Sequence, residues 1–575
     1  MADIEQKRRS GGWRDRWAMW RALKTAPSQG FLSQPEPRTI GLYARGKQLL
    51  AGNFVSAGIV VARPGVPIWD VDFADPAAAI ETHGFAWLDD LAAVGDQVAR
   101  ERAQAWLALW IERYGRGRGP GWTSDLIGRR LIRLINHALM LFQNAPDGLD
   151  AAYFRTLSAQ TVFLAKRWQG APPGLPRFEA LTGLISASLA LDGMQAQVGP
   201  ALAALAQDCG TEIDIEGGIP TRNPEELLEI FTLLTWAAQA LAEAGQIAPP
   251  DHMAAMERIA PTLRSLRHAD GSLARFQGGG RGAEGRLDTA LANAGVKAVP
   301  SAGMAMGFVR LSGGRTTIIV DAAAPPGGAA GRRSHASTNA FELTSGRRPV
   351  VVCCGSGLPF GREWRLAGRA TASHSTLAVE GFSSSRLGPD PEGEMAERAE
   401  ISGLRLFPGE NGTGVHVSHN GWARTHGMSH VRDLMLTHDG RHLTGVDKLA
   451  AITTPEKRRF EKLMIDGRLK GFNFAVRFHV HPDVEARLDL GGTAVSLALK
   501  SGEIWVFRQL GPVRMTLEPS IYLEKARLRP RQTVQIVLAA RVLDFESEVV
   551  WTLAKAQDTP LAIRDLERED VAGQI

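Results

Sequence analysis

His335, Cys353 and His374 are two imidazoles and a thiol carried on three successive runs of strand-type sequence. His335 stands in Ser334-His335-Ala336-Ser337-Thr338-Asn339-Ala340-Phe341, Cys353 ends Pro349-Val350-Val351-Val352-Cys353, and His374 lies in Ala370-Thr371-Ala372-Ser373-His374-Ser375-Thr376. Imidazole nitrogen and thiolate sulfur are ligand types that zinc takes tetrahedrally. If adjacent strands bring them together, the three could close around one Zn2+. The Ser345-Gly346-Arg347 stretch is short enough to turn a hairpin and pair the first two. Cys354 would then point to the opposite face of its strand. Each of the three alone is equally well explained as core, His by hydrogen bonding and Cys as a small apolar filler.

Two further groupings carry chemistry. In Gly217-Gly218-Ile219-Pro220-Thr221-Arg222-Asn223-Pro224, followed by Glu226, the spacing predicts a helix start. Asn223 is the N-cap, Pro224 the first helical residue, and Glu226 reaches back to the cap amide. The same carboxylate could instead act as a general base, with Arg222 or Arg333 neutralising an acidic substrate. A carboxylate held in a cap is poorly free to take a proton, so the two roles compete. Upstream, Gly121-Trp122 precedes Asp125, Arg129 and Arg130 at another helix entry. Trp can stack on a pyranose face and Arg can clamp a carboxylate. The alternative is a core Trp beside a solvated Arg pair.

The elements that must position these groups divide the chain in two. Apolar residues recur at three- and four-residue spacing in Ala103-Trp106-Leu107-Trp110, Leu126-Leu131-Leu134-Ile135, Phe154-Leu157-Val162-Leu164 and Leu227-Phe231-Leu234. Short turns between long helices suit a bundle or an incomplete α/α toroid. Beyond about Gly303 the period becomes two, as in Thr317-Ile318-Ile319-Val320 and Phe472-Phe474-Val476-Phe478-Val480. That pattern predicts an antiparallel sandwich. The Gly/Arg-rich stretch from Gly278 to Gly285 is the expected boundary. The divisions are a basic Trp-containing arm over 1–40, a helical domain over 41–285 and a β-sandwich over 300–575.

A chain of 575 residues is too long for one core. Its net charge of +5 is mild for that length and gives no reason to expect nucleic acid, while an anionic ligand such as a uronate polymer is compatible with it. Three Cys make no disulfide framework, and no apolar run reaches the length of a membrane span. The basic N-terminus lacks the apolar core of a secretory signal, so the sequence alone points to the cytoplasm. It carries Trp13, Trp17 and Trp20 at helical spacing among Arg14, Arg16 and Arg21. Such a helix could lie on a membrane surface. The favoured reading is an arm that docks its Trp edge onto the body.

The stretch around His335 resembles the C-terminal β-domain of the heparinase II/III-like polysaccharide lyases. That family has His-x-His before a Ser-Phe-x-Leu strand, an Asp ending an apolar strand, and then His-Asn/Ser-Thr. By resemblance His335 matches the second His, Cys353 stands at the Asp and His374 matches the last His. The family's first, catalytic His is replaced by Arg333. The resemblance chooses the toroid for the helical half and places a sugar groove between the domains. It implies β-elimination on an acidic, uronate-containing glycan such as a glycosaminoglycan, a structural metal under the groove, and work in the cell envelope or periplasm. It also exposes departures. The region of the family's Asn-His pair reads Pro176-Arg177-Phe178-Glu179, and Glu226 stands where the family has Tyr. The catalytic expectation therefore falls on Arg222, Glu226 and Arg333, with Trp122, Arg129 and Asn223 for the substrate. The other reading is a non-catalytic glycan-binding or structural protein on the same scaffold.

Overall fold

The computed structural model describes residues 12–558, apart from 34–35, 57–58, 74–75, 284, 297–302, 391–392, 526 and 528. The periodic segments form long helices: α1 (Trp13–Leu23), α2 (Gln97–Tyr114), α3 (Ser124–Asn136), α4 (Leu149–Arg167), α5 (Leu175–Ala190), α6 (Val198–Glu212), α7 (Pro224–Glu243), α8 (Pro250–Ser265) and α9 (Arg286–Asn293). With shorter helices between them they make an α/α toroid. Two helices meet through glycine: a Cβ on Gly128 of α3 would stand 2.2 Å from the Glu179 carbonyl of α5, and one on Gly183 would stand 2.4 Å from the Gly128 carbonyl. Only hydrogen fits between these two backbones.

The expected boundary at Gly278–Gly285 is not a free linker. The Gly280 amide donates to Glu225 at 2.8 Å, and α9 beyond it buries Leu287, Ala290 and Leu291 in the helical core. The change to strands follows α9.

Two antiparallel sheets then face each other. One runs in the order β1 (Arg514–Tyr522), β2 (Arg531–Val542), β3 (Phe472–Val480), β4 (Arg348–Val352), β5 (Phe341–Ser345), β6 (Thr316–Asp321), β7 (Phe308–Gly313) and β8 (Met304–Ala305), with Leu377–Val379 also paired to β3. The other sheet spans Ile401–Gly409 through Trp422, Met428–Ala450, Val484–Leu510 and Glu546–Gln557. Alternation on β6 explains why all six of its residues are buried. Ile318 and Val320 enter the sandwich core, whereas Ile319 joins the helical core with Phe308, Ala340 and Cys353. The first sheet is therefore covered on both faces.

The N-terminal arm departs from expectation. Helix α1 lies on α4 through Ala18 and Ala22, each 1% exposed, and through an ion pair from Asp15 to Arg167. Trp13, Trp17 and Trp20 are 70%, 50% and 55% exposed. The Trp edge faces solvent, because the small Ala face allows the closer helix contact. Residues 1–11 of the arm lie outside the described residues. Among the described residues no helix is long and apolar enough to cross a membrane.

Candidate interdomain groove

The start of α7 lies at the junction of the helical and β domains. Asn223 caps it, its side-chain oxygen accepting from the amides of Glu225 at 3.0 Å and Glu226 at 3.2 Å, with Pro224 in the first turn. That half of the expected cap is present. Glu226 does not complete it. Its carboxyl turns toward the start of α5, 3.8 Å from where a Cβ on Gly174 would stand. Burial raises it above the ordinary carboxyl value, against the pull of Arg333 and the Leu175 amide. Arg333 is exposed on the short turn Gly328–Arg333, whose last carbonyl abuts Gly278. Glu226 and Arg333 therefore act on each other electrostatically across the domain junction. Glu225 beside them pairs with Lys525, which no local motif in the sequence foretold.

Arg222 does not join them. Its backbone is left-handed, at φ 51°, and its guanidinium lies 4.7 Å over the Phe308 ring. It donates to Asp321 at 2.6 Å and to the carbonyls of Met306, Gly307 and Ala324 at 3.1, 2.9 and 2.8 Å. Every nitrogen is engaged within the protein, which commits the group to the domain junction. Asp321, fully buried, also accepts from Gln277 at 2.9 Å and Ser337 at 2.6 Å. Gln277 in turn accepts the His335 amide at 2.9 Å. Asp321 is thus the hub of the domain junction, and sequence reasoning missed it because its partners are scattered along the chain.

The expected sugar contacts at the α3 entry are structural. Trp122 donates to the Tyr114 carbonyl at 2.7 Å and packs between Trp110 and Phe163. Arg129 is paired with Glu179 at 2.7 Å and with Glu81. Burial pushes the Glu179 carboxyl up to about 7, with Arg129 opposing. Arg130 is wholly buried, bonded to Gln160 and to the His83 and Gly121 carbonyls. Asn223 is occupied by its cap.

The His/Cys group is brought to one region but not to one point. None of the three sits on a strand. His335 precedes β5, Cys353 follows β4, and His374 follows the turn Thr371–Ser373. The two imidazole rings are 5.2 Å apart and tilted by 54°. Both His374 nitrogens and Nδ1 of His335 lack partners, as an ion or a bridging water would require. The thiol does not complete the set. Cys353 belongs to the apolar core beside Glu342, where burial holds its thiol well above the ordinary value. Among the described residues no three His, Cys, Asp or Glu side chains are placed to hold a metal ion. The expected zinc does not fit this donor set. It is Cys354 that meets an imidazole, with Sγ 3.6 Å from Nδ1 of His479.

Residues 296–552 match the family described as Heparinase II/III-like, C-terminal. In solved structures the chain is similar to heparinase III, with a TM-score of 0.67, 14% identity, and 94% of this chain against 89% of that one. It is also similar to heparan sulfate lyase HepC from Pedobacter heparinus, with a TM-score of 0.55, 14% identity and coverage of 95% and 88%. At that identity the likeness establishes the fold. In sequence the chain is 28% identical over 545 residues to FtsZ-localized protein C of Caulobacter vibrioides, covering 92% of this chain and 91% of the relative. The chain thus carries a Heparinase II/III-like C-terminal domain over residues 296–552 and has the toroid-and-sandwich fold of these lyases over nearly its whole length.

Proposed function

We propose that this chain is a binding protein on a polysaccharide-lyase scaffold and that its groove no longer performs elimination. The observation that carries this is the engagement of Arg222. β-Elimination on a uronate needs a group to neutralise the carboxylate, a base for the C5 proton and an acid for the departing O4. Of the three candidates Arg222 is committed to Asp321 and backbone carbonyls, leaving half-buried Glu226 and exposed Arg333. Glu226 has its carboxyl raised by burial, and Glu225 next to it is tied to Lys525. The groove still offers Arg333 to an anionic ligand, and an acidic polysaccharide remains the ligand class it suits. The relative named FtsZ-localized protein C aligns along both domains. From this we take the setting: the chain acts as a partner of the FtsZ division assembly.

The test has two arms. Purified protein is incubated with heparan sulfate, chondroitin, alginate and acidic bacterial exopolysaccharides, and the ultraviolet band of the unsaturated uronate product is followed. No product is expected. Turnover abolished by Glu226→Gln would instead make Glu226 the base and the chain a lyase. In the second arm the protein is sedimented with and without FtsZ polymer. Co-sedimentation is expected, and its absence overturns the assigned setting.

A further inference from the structure

At the opposite end of the first sheet from Asp321, a cleft of about 360 Å³ opens between the β7–β6 turn, the β5–β4 turn and Ala269 of the loop after α8. Strand β6 runs from the Asp321 hub to Thr316 at this cleft, a separation of about 16 Å at ~3.3 Å per residue. Alternation along β7 sends Val309 and Leu311 into the sandwich core and Phe308, Arg310 and Ser312 to the other face. Arg310 is pinned there. Its guanidinium donates to the carbonyls of Ser265 at 3.2 Å and Arg267 at 2.6 Å, and to the hydroxyls of Ser312 at 3.0 Å and Thr317 at 3.2 Å. All four partners are neutral. Burial, with the Arg267 charge nearby, pulls Arg310 below the ordinary guanidinium value. Two further arginines stand at the rim, Arg315 on the β7–β6 turn and Arg347 on the β5–β4 turn, and both are exposed. The Gly346 amide joins the two turns by donating to the Arg315 carbonyl at 2.8 Å. Gly346 is left-handed at φ 55°, and a Cβ on it would stand 2.5 Å from a guanidinium nitrogen of Arg315. Glycine at that point lets the Arg315 side chain lie against the turn that carries Arg347. Among the described residues no acidic and no aromatic side chain lines the cleft. Asp558, which the Arg315 charge also reaches, is paired with Arg441 and Lys555.

We infer that this cleft binds a multiply charged phosphate group, either pyrophosphate itself or the terminal phosphates of a larger ligand. Guanidinium forks match phosphate oxygens two at a time, and three of them at one opening suit more negative charge than a single carboxylate carries. Ser312 and Thr317 accept from Arg310, and each keeps its own hydroxyl proton to donate. The volume lies near the lower end of small-molecule sites, ~300–1,000 Å³. With no ring on which a base or sugar could stack, recognition rests on the phosphate. Neither Glu226 nor Arg333 lines the cleft, so it is separate from the region to which an acidic glycan is assigned.

Equilibrium dialysis of the full-length protein against radiolabelled pyrophosphate tests this. Pyrophosphate should bind at a single site per chain, more tightly than orthophosphate, and less tightly as salt is raised. Arg315→Gln and Arg347→Gln should each weaken it about tenfold. Both side chains are exposed, so the Tm without ligand should not move. Arg333→Ala should bind pyrophosphate as the wild type does. ADP should bind no more tightly than pyrophosphate, because the cleft holds nothing for the base. Absence of pyrophosphate binding by the wild type overturns the proposal. So does unchanged affinity in the variant that combines Arg315→Gln with Arg347→Gln. Loss of binding in Arg333→Ala would move the phosphate to the other region and overturn it equally. Much tighter binding of ADP would overturn recognition by phosphate alone. None of these outcomes depends on FtsZ or on glycan binding.

Discussion

Arg222 and Arg333 are two arginines of the same groove region with opposite commitments. Arg222 satisfies the buried Asp321 carboxylate, whereas Arg333 is free to solvent on its turn. Removing one member of a buried ion pair leaves the other charge unpaired, at a cost of about 3–5 kcal/mol. Arg222→Ala should therefore destabilise the protein by about that much in urea denaturation. Arg333→Ala should change stability by less than about 0.5 kcal/mol while weakening acidic glycan binding. Equal, small losses from both would show that Asp321 finds other compensation. The difference was not readable from sequence. Arg222 lies in a recognisable Gly-Gly-x-x-x-Arg-x-Pro stretch, but the oxygens that hold it belong to Met306, Gly307, Asp321 and Ala324. No local spacing links those positions.

At the scale of elements, the helix start at Asn223 separates cap from carboxylate. Asn223→Ala should cost ~1 kcal/mol by removing the oxygen that accepts from two amides, whereas Glu226→Gln should leave thermal stability nearly unchanged or raise it slightly, since burial disfavours the charged form. A loss of ~1 kcal/mol from Glu226→Gln would restore the capping box. The strands were legible because period two survives wherever one face is buried, as in Phe472 to Val480. Helices such as α3 were legible for the same kind of reason. Helix α1 shows where periodicity stops. The sequence marks a Trp side and an Ala side, and hydrophobicity alone turns the Trp side inward. Close packing on α4 and the distant Asp15–Arg167 pair decide otherwise. The His/Cys group fails similarly: the order of the ligand types is local, but where a thiol points after a strand ends is set by its neighbours, here Glu342 and the apolar core.

Over the whole molecule, buried imidazoles set the response to acid. His83 accepts the Trp110 indole N–H at 2.9 Å, and burial with Arg130 nearby holds it down to about 4. Burial likewise holds His481 down to about 3, although Asp483 pulls the other way. An unfolded imidazole titrates near ~6.5, so below that pH the unfolded chain binds more protons than the folded one. These groups thus contribute stability that is full above ~6.5 and lost as pH falls toward their folded values. Asp447 adds a lower step: buried among Arg432, His430 and Trp551, it is held below the usual carboxylate range. Its contribution is present above ~3.9 and lost beneath that. The denaturation midpoint should fall steadily between about pH 6.5 and about pH 4 and then steeply. A flat profile across that interval would mean the imidazoles stay solvated in the folded state.

The Asp321 hub also bears on time. It ties Arg222 of the toroid, Gln277 of the crossover and Ser337 of the sandwich into one buried set, and Gln277 passes the constraint to the His335 amide. A ligand entering the groove meets lobes that are already latched, so its arrival involves no hinge to swing. In stopped-flow mixing, the observed rate should rise in proportion to ligand concentration without a plateau, because no slow isomerisation precedes or follows the encounter. Cutting the latch with Asp321→Asn should introduce curvature and a second phase, turning a rigid jaw into one that must close.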